Sequence, residues 1–178
     1  MLQYGGPRAG KVYPNNGSWN LRHQMLYKPP PEPLRSWVVV CLDQKVKKKN
    51  VEDFVKALVP CMEETGGFVV QDAWPPIWMM DGHQSPEEAI AAAVRRRDNT
   101  QLVLVVLPGP EAENYNRVKC ALERPGGHGI ISQCMVSKHL FGKGGGGGRG
   151  GGRGGGGGGG SPDPMYLANL VLKVRPVF

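Results

Sequence analysis

Two pairs of residues in this sequence have the types and spacing to grip an anion. Tyr115 and Lys119 are four apart, and Asn169 and Lys173 repeat that spacing near the other end of the chain. Residues at i and i+4 of a helix share a face, so each pair would aim an ammonium and a second hydrogen-bonding group in one direction. Gln133 and Cys134 lie between the pairs, after a short apolar run, and the Gln133 amide adds a directed donor. Two ammonium groups, a phenol and an amide suit a terminal phosphate dianion. The Tyr115 ring could also stack on a nucleobase, a contact worth roughly 1–3 kcal/mol in single-strand recognition. Taken alone, that spacing more often marks a core-edge aromatic beside a solvated lysine.

The elements that must position these residues are read from the hydrophobic pattern. Trp37 to Leu42 is an unbroken apolar run rich in β-branched residues, as in a strand covered on both faces. Val51, Phe54, Val55, Leu58, Val59 and Met62 recur at helical spacing and predict a helix from Val51 to about Thr65, stopped by Gly66-Gly67. Phe68-Val69-Val70 reads as the next strand, and a loop rich in proline and tryptophan follows. Ser85-Pro86-Glu87-Glu88 combines an N-cap, a first-turn proline and a capping-box glutamate, opening a helix to about Arg97. A strand over Gln101 to Leu107, a helix over Ala112 to Glu123, a strand over Gly129 to Cys134 and a helix over Pro164 to Lys173 complete the pattern. The alternation predicts an α/β, Rossmann-like domain with a mainly parallel central sheet flanked by helices.

Ligands of such sheets bind at the carboxyl ends of the strands, which directs attention to the loops after Leu42, Val70, Leu107 and Cys134. The start of the helix carrying Tyr115 and Lys119 adds unpaired N–H groups and a partial positive charge. Residues 1–35, rich in proline and glycine, read as a linker preceding a domain over 36–178. Residues 142–160 are nearly pure glycine broken by Lys143, Arg149 and Arg153, and are expected to form a disordered loop.

Twenty-two basic against 15 acidic residues give the 178-residue chain a formal charge of +7, favouring polyanions. No apolar run reaches the roughly 18 residues a membrane span needs, so no membrane partner is expected and the cytoplasm is the expected location. Cys41, Cys61, Cys120 and Cys134 lack C-x-x-C spacing and read as reduced thiols rather than zinc ligands. The four histidines have no nucleophile at an interpretable spacing. No metal or cofactor is expected. A dinucleotide-dependent Rossmann enzyme is one alternative, but the loop after the first strand, Asp43 to Lys49, has no glycines to admit a pyrophosphate. A nonspecific RGG-type RNA-binding module built on Arg149 and Arg153 is a second. The lysines at 45 and 47–49 read as solvated, Arg95-Arg96-Arg97 as complementing a helix C-terminus, and Trp74, Trp78, Met79 and Met80 as a loop covering the core.

In order and spacing, Leu104-Val105-Val106-Leu107-Pro108-Gly109, Tyr115-x-x-x-Lys119, Ser132-Gln133-Cys134 and Asn169-Leu170-x-Leu172-Lys173 resemble the MID domain of eukaryotic Argonaute proteins. Leu2-x-Tyr4-Gly5-Gly6 and Gly17-x-Trp19-Asn20-Leu21-Arg22 resemble the segment joining the PAZ domain to MID. The resemblance implies an anchor for the 5′-phosphorylated end of a small guide RNA in RNA silencing. Tyr115, Lys119, Gln133 and Lys173 would hold the phosphate, Cys134 would contribute through its backbone, and Asn169 would support them. Lys173 would take the charge-neutralising role of a metal ion. Pro108, Gly109, Pro110, Glu111 and Asn114, in a loop about one residue longer than the animal form, would face the first base. Val136 and Val177 replace polar residues of many relatives, and the glycine-arginine insert points to a fungal-type member. The resemblance also implies PAZ and PIWI domains in the same parent chain, with this chain a fragment. Any slicing would belong to PIWI, so this chain is not expected to be an enzyme.

Overall fold

The computed structural model describes residues 2–5, 11–13, 25, 31–123, 128–142 and 161–174. Its elements are β1 (Leu2–Gln3), β2 (Lys11–Val12), β3 (Trp37–Cys41), α1 (Lys48–Glu64), β4 (Ile77–Met79), α2 (Pro86–Arg95), β5 (Leu102–Leu107), α3 (Ala112–Glu123), β6 (Ile131–Val136), a 3-10 turn (Ser137–Leu140) and α4 (Pro164–Lys173). β1 and β2 pair antiparallel. The other four strands form a parallel sheet in the order β4-β3-β5-β6, as the alternating pattern requires.

Side chains alternate across a strand, and the parallel register turns that alternation into two cores. Trp37, Val39, Cys41, Leu102, Leu104 and Val106 pack on one face with the apolar residues of α1 and α4. Val38, Val40, Leu42, Val103, Val105 and Leu107 pack on the other with α2 and α3. All six residues of β5 are buried, which explains its uninterrupted aliphatic run. The six residues marked out by helical spacing in α1 are its buried set. The capping box at Ser85 and Glu88 forms on both sides, at 3.2 and 2.7 Å. Tyr4 is buried and packs near Ala168 of α4, and Leu34 is buried in the core under α1 and α4, so the N-terminal segment touches the domain at both of these residues.

The second strand lies elsewhere than the sequence pattern places it. Phe68-Val69-Val70 forms no strand: Phe68 is buried, Val69 is 62% exposed, and Val70 makes a single bridge to Leu34. Gly67, at φ 66°, turns the chain out of α1 so that Phe68 plugs its end. The edge strand is instead Ile77–Met79, inside the segment read as a covering loop. Pro75-Pro76 masks it, because proline is tolerated at the start of an edge strand, where the Pro76 carbonyl accepts from Val39 N at 3.0 Å. Trp78 and Met79 still cover the two cores, one on each face. β6 is displaced too, running Ile131–Val136 rather than Gly129–Cys134, so Gln133 and Cys134 stand mid-strand. α1 begins at Lys48 and accommodates Pro60 on an exposed position. The expected glycine-arginine loop, beyond Gly142, lies outside the described residues.

Leu104 is 1% exposed at the centre of the sheet. Leu104→Ala is expected to lower unfolding free energy by about 2–5 kcal/mol through lost burial and a residual cavity, measured by urea denaturation.

Candidate functional site

Because β5 and β6 are parallel, α3 must run back from the carboxyl edge of the sheet to its amino edge. Its first turn therefore lies beside the loop after β5, and Lys119 lies further down the flank of β6. β6 is an edge strand, and its peptide groups point alternately toward β5 and outward. Ser132 is one of the outward residues. Its N–H donates to Glu123 Oε1 at 2.9 Å, its Oγ donates to the same oxygen at 2.7 Å, and its carbonyl accepts from Lys119 Nζ at 2.8 Å. Lys119 closes the circuit by donating to Glu123 Oε1 at 2.6 Å. Nζ also stands 5.7 Å from the centre of the Tyr115 ring, which is 46% exposed.

Burial works against the Glu123 carboxylate, but the hydrogen bonds from Lys119 and Ser132 outweigh it and hold the carboxyl below its ordinary 4.5. Burial pushes the Cys134 thiol up to about 11, against the pull of Lys119, so it is not a nucleophile at neutral pH. By the same alternation, the Cys134 peptide faces outward. Its carbonyl accepts from Gln133 Nε2 at 2.8 Å, while its N–H has no partner among the described residues.

The structure joins Tyr115 and Lys119 and sets the other candidates around the strand edge. Gln133 pairs with Leu104, so its side chain belongs to the face covered by α1 and α4, whereas Cys134 pairs with Val105 and belongs to the α2/α3 face. α4 packs on the Gln133 side through Leu167, Leu170 and Val171. Its start is fixed by Asp163, which accepts from Met165 N at 2.9 Å and precedes Pro164. Asn169 and Lys173 are on its exposed side. Asn169 Nδ2 turns inward to Met165 O at 2.9 Å, and Lys173 makes no hydrogen bond or ion pair with any described residue. The two lysines thus come from opposite faces of the sheet, with the open edge of β6 between them. A stack of His139 on Tyr166, 4.1 Å between ring centres, ties the turn after β6 to α4.

The loop after β5 is built by its prolines and one close approach. Gly109 is buried, and the Glu111 carboxylate occupies the space a Cβ would take there. Pro108, Pro110 and Glu111 are exposed, Asn114 half-buried. Ser137 Oγ lies 3.5 Å from Pro108 O, linking this loop to the end of β6. Glu111 and Glu113 stand at the start of α3, so its positive end is already partly neutralised.

In the sequence Ser132 stands out only as part of the segment Ser132-Gln133-Cys134 and Glu123 has no assigned role, although Glu123 stands four residues after Lys119, the spacing of a helical ion pair. Glu87 and Arg117 clamp α2 to α3 through two bonds of 2.7 and 2.6 Å. That contact, first among its causes, lowers the Glu87 pKa. The arginine triplet has partners beyond the helix dipole: Arg96 lies 4.5 Å over the Trp78 ring, and Arg97 forms an ion pair with Asp72 and donates to Ser36 Oγ. Lys45, Lys47, Lys48 and Lys49 are exposed. All four cysteines are free. Among the described residues, no cluster of His, Cys, Asp or Glu could hold a metal, and no helix is long and apolar enough to cross a membrane.

Comparison with known proteins agrees with this architecture. Residues 13–90 match the family model described as the Mid domain of argonaute; every candidate site residue lies after that span. An argonaute protein of Schizosaccharomyces pombe is 25% identical over 97% of this chain, which spans only 19% of that relative's length. The MID domain of Arabidopsis thaliana AGO5 shares the fold at a TM-score of 0.56, with 22% identity, covering 80% of this chain and 87% of that one. Kluyveromyces polysporus Argonaute, solved with a guide RNA, gives a TM-score of 0.59 at 14% identity, over 88% of this chain and 18% of that one. The fold is thus that of Argonaute MID domains. The family match and the fold point to the same class, the MID domain of Argonaute proteins, and the similar proteins include fungal ones.

Glu87 and Glu123 both have carboxyls lowered from 4.5 in the folded protein. Their contribution is present above that value and is lost as pH falls through the lowered folded values. Thermal denaturation is therefore expected to show stability falling below about pH 4.5, with a shallower fall in Glu87→Gln.

Proposed function

We propose that this domain binds the 5′-phosphorylated end of a small guide RNA within an Argonaute. The observation that carries the reading is the pairing of Tyr115 and Lys119 beside the open edge of β6, where the Cys134 N–H faces outward without a described partner. Two of the three ammonium donors of Lys119 are used within the protein, leaving one for a phosphate oxygen. The phosphate would sit against the outer edge of β6, accepting from Lys119 on the α3 side, from the Cys134 N–H at the edge, and from Gln133 and Lys173 on the α4 side. Lys173, without a described partner, supplies uncompensated positive charge in place of a metal ion, and Asn169 supports its helix.

The exposed Tyr115 ring would stack on the first base, and the loop of Pro108, Gly109, Pro110, Glu111 and Asn114 would face that base. The Val136 side chain offers no donor at the outer edge, and Val177 lies outside the described residues, so fewer side chains converge here than a fully polar pocket would provide. We assign the chain a binding role without catalysis, PAZ and PIWI domains of one parent Argonaute as its partners, and RNA silencing as its process. Four free thiols fit a reducing compartment, and we place the protein in the cytoplasm.

The test is a titration with one short RNA carrying either a 5′-phosphate or a 5′-hydroxyl. Tighter binding of the phosphorylated form is expected. Lys119→Ala and Lys173→Ala should each reduce that preference by roughly tenfold, the value of a charged hydrogen bond. Equal affinity of the wild-type protein for both ends would rule the reading out.

A further inference from the structure

Resting on the phosphate-binding reading above, we infer that Glu123 is an internal counter-anion that competes with the ligand phosphate for Lys119 and so sets the affinity of the site. One carboxylate oxygen accepts at 2.6 Å from Lys119 Nζ, at 2.9 Å from Ser132 N and at 2.7 Å from Ser132 Oγ. This geometry does two things. It closes the outward peptide group of Ser132, which an edge strand would otherwise leave open. It also draws the ammonium toward the second residue of β6, away from Cys134 and the carboxyl edge.

Electrostatics points the same way. The Glu123 carboxyl is held below the ordinary range by its donors, so it stays ionised wherever a phosphate monoester is a dianion. Lys119 is 24% exposed and Glu123 39% exposed in their side chains, so the pair is reachable by solvent and can exchange partners. Glu111 and Glu113 lie eight and six residues before Lys119 in sequence and add no positive charge. An incoming dianion therefore meets a lysine already neutralised. It must share that lysine with a carboxylate or pull the ammonium up the strand toward Cys134. Either course costs binding energy that falls on phosphate-bearing ligands and not on hydroxyl-bearing ones. Substituting glutamine for Glu123 keeps an oxygen that can accept from Ser132 and removes only the charge.

Measured by the same titration, Glu123→Gln is expected to bind the 5′-phosphorylated RNA roughly two- to fivefold more tightly, the scale of a partly exposed ion pair. Its affinity for the 5′-hydroxyl RNA should be unchanged. In a Lys119→Ala background the same change should give at most the smaller gain due to removing a nearby negative charge. Glu123→Ala, checked for folding by circular dichroism, provides a second variant with the same expected direction. If wild-type protein prefers the phosphorylated end and both folded variants bind it no better or more weakly, Glu123 is a positioning residue for Lys119 and the inference is wrong. If wild-type protein shows no preference, the phosphate-binding reading fails and this inference with it.

Discussion

The register of β6 against β5 is the constraint on which the site depends. Pairing Leu104 with Gln133 and Val105 with Cys134 sends consecutive side chains to opposite faces, and a slip of one residue would exchange them. It also turns the Ser132 and Cys134 peptides outward, toward the space between α3 and α4. Met135 of β6, buried in the core covered by α1 and α4, holds the register, since a slip of one residue would send it to the other face. The network of Glu123, Lys119 and Ser132 locks the same register from outside, because its three bonds to Ser132 can form only if that residue points outward.

Much of this was readable in the sequence, because the strongest signals are those that burial imposes. The apolar runs of β3 and β5, the 3.6-residue spacing of α1, and the capping signals at Ser85 and Asp163 all name their elements. α3 and α4 end where their patterns end. β4 escaped detection because a three-residue edge strand behind Pro75-Pro76 has neither length nor alternation, while Phe68-Val69-Val70 has strand composition but serves to plug a helix. β6 was displaced by two residues because glycines around 126–129 give no lower limit to a strand. That error was small in sequence and large in meaning, since it moved Gln133 and Cys134 from the strand end to its middle.

The site itself was only half readable. Tyr115 and Lys119 share a helical face as their spacing requires, but spacing cannot say along which direction a four-carbon side chain points. The structure sends the ammonium toward Glu123 at the amino side of the sheet, whereas the topology of parallel sheets directs attention to the carboxyl side. Acidic residues at 111, 113 and 123 flank it, so the positive character of the domain does not concentrate on α3. Exposed positive charge lies elsewhere as well, including Lys173 and Lys45, Lys47, Lys48 and Lys49 around the start of α1. Affinity in such a site depends on which groups are already paired more than on net charge.

The central claim is that a phosphate is held at the outer edge of β6, and the backbone amide of Cys134 reports on it most directly. Amide chemical shifts of labelled protein would be followed during addition of a 5′-phosphorylated dinucleotide and, separately, of its 5′-hydroxyl counterpart. The account predicts that the Cys134 and Tyr115 amides shift strongly with the phosphorylated ligand and little with the other. Shifts confined to the lysine-rich residues 45–49, or identical responses to both ligands, would contradict it.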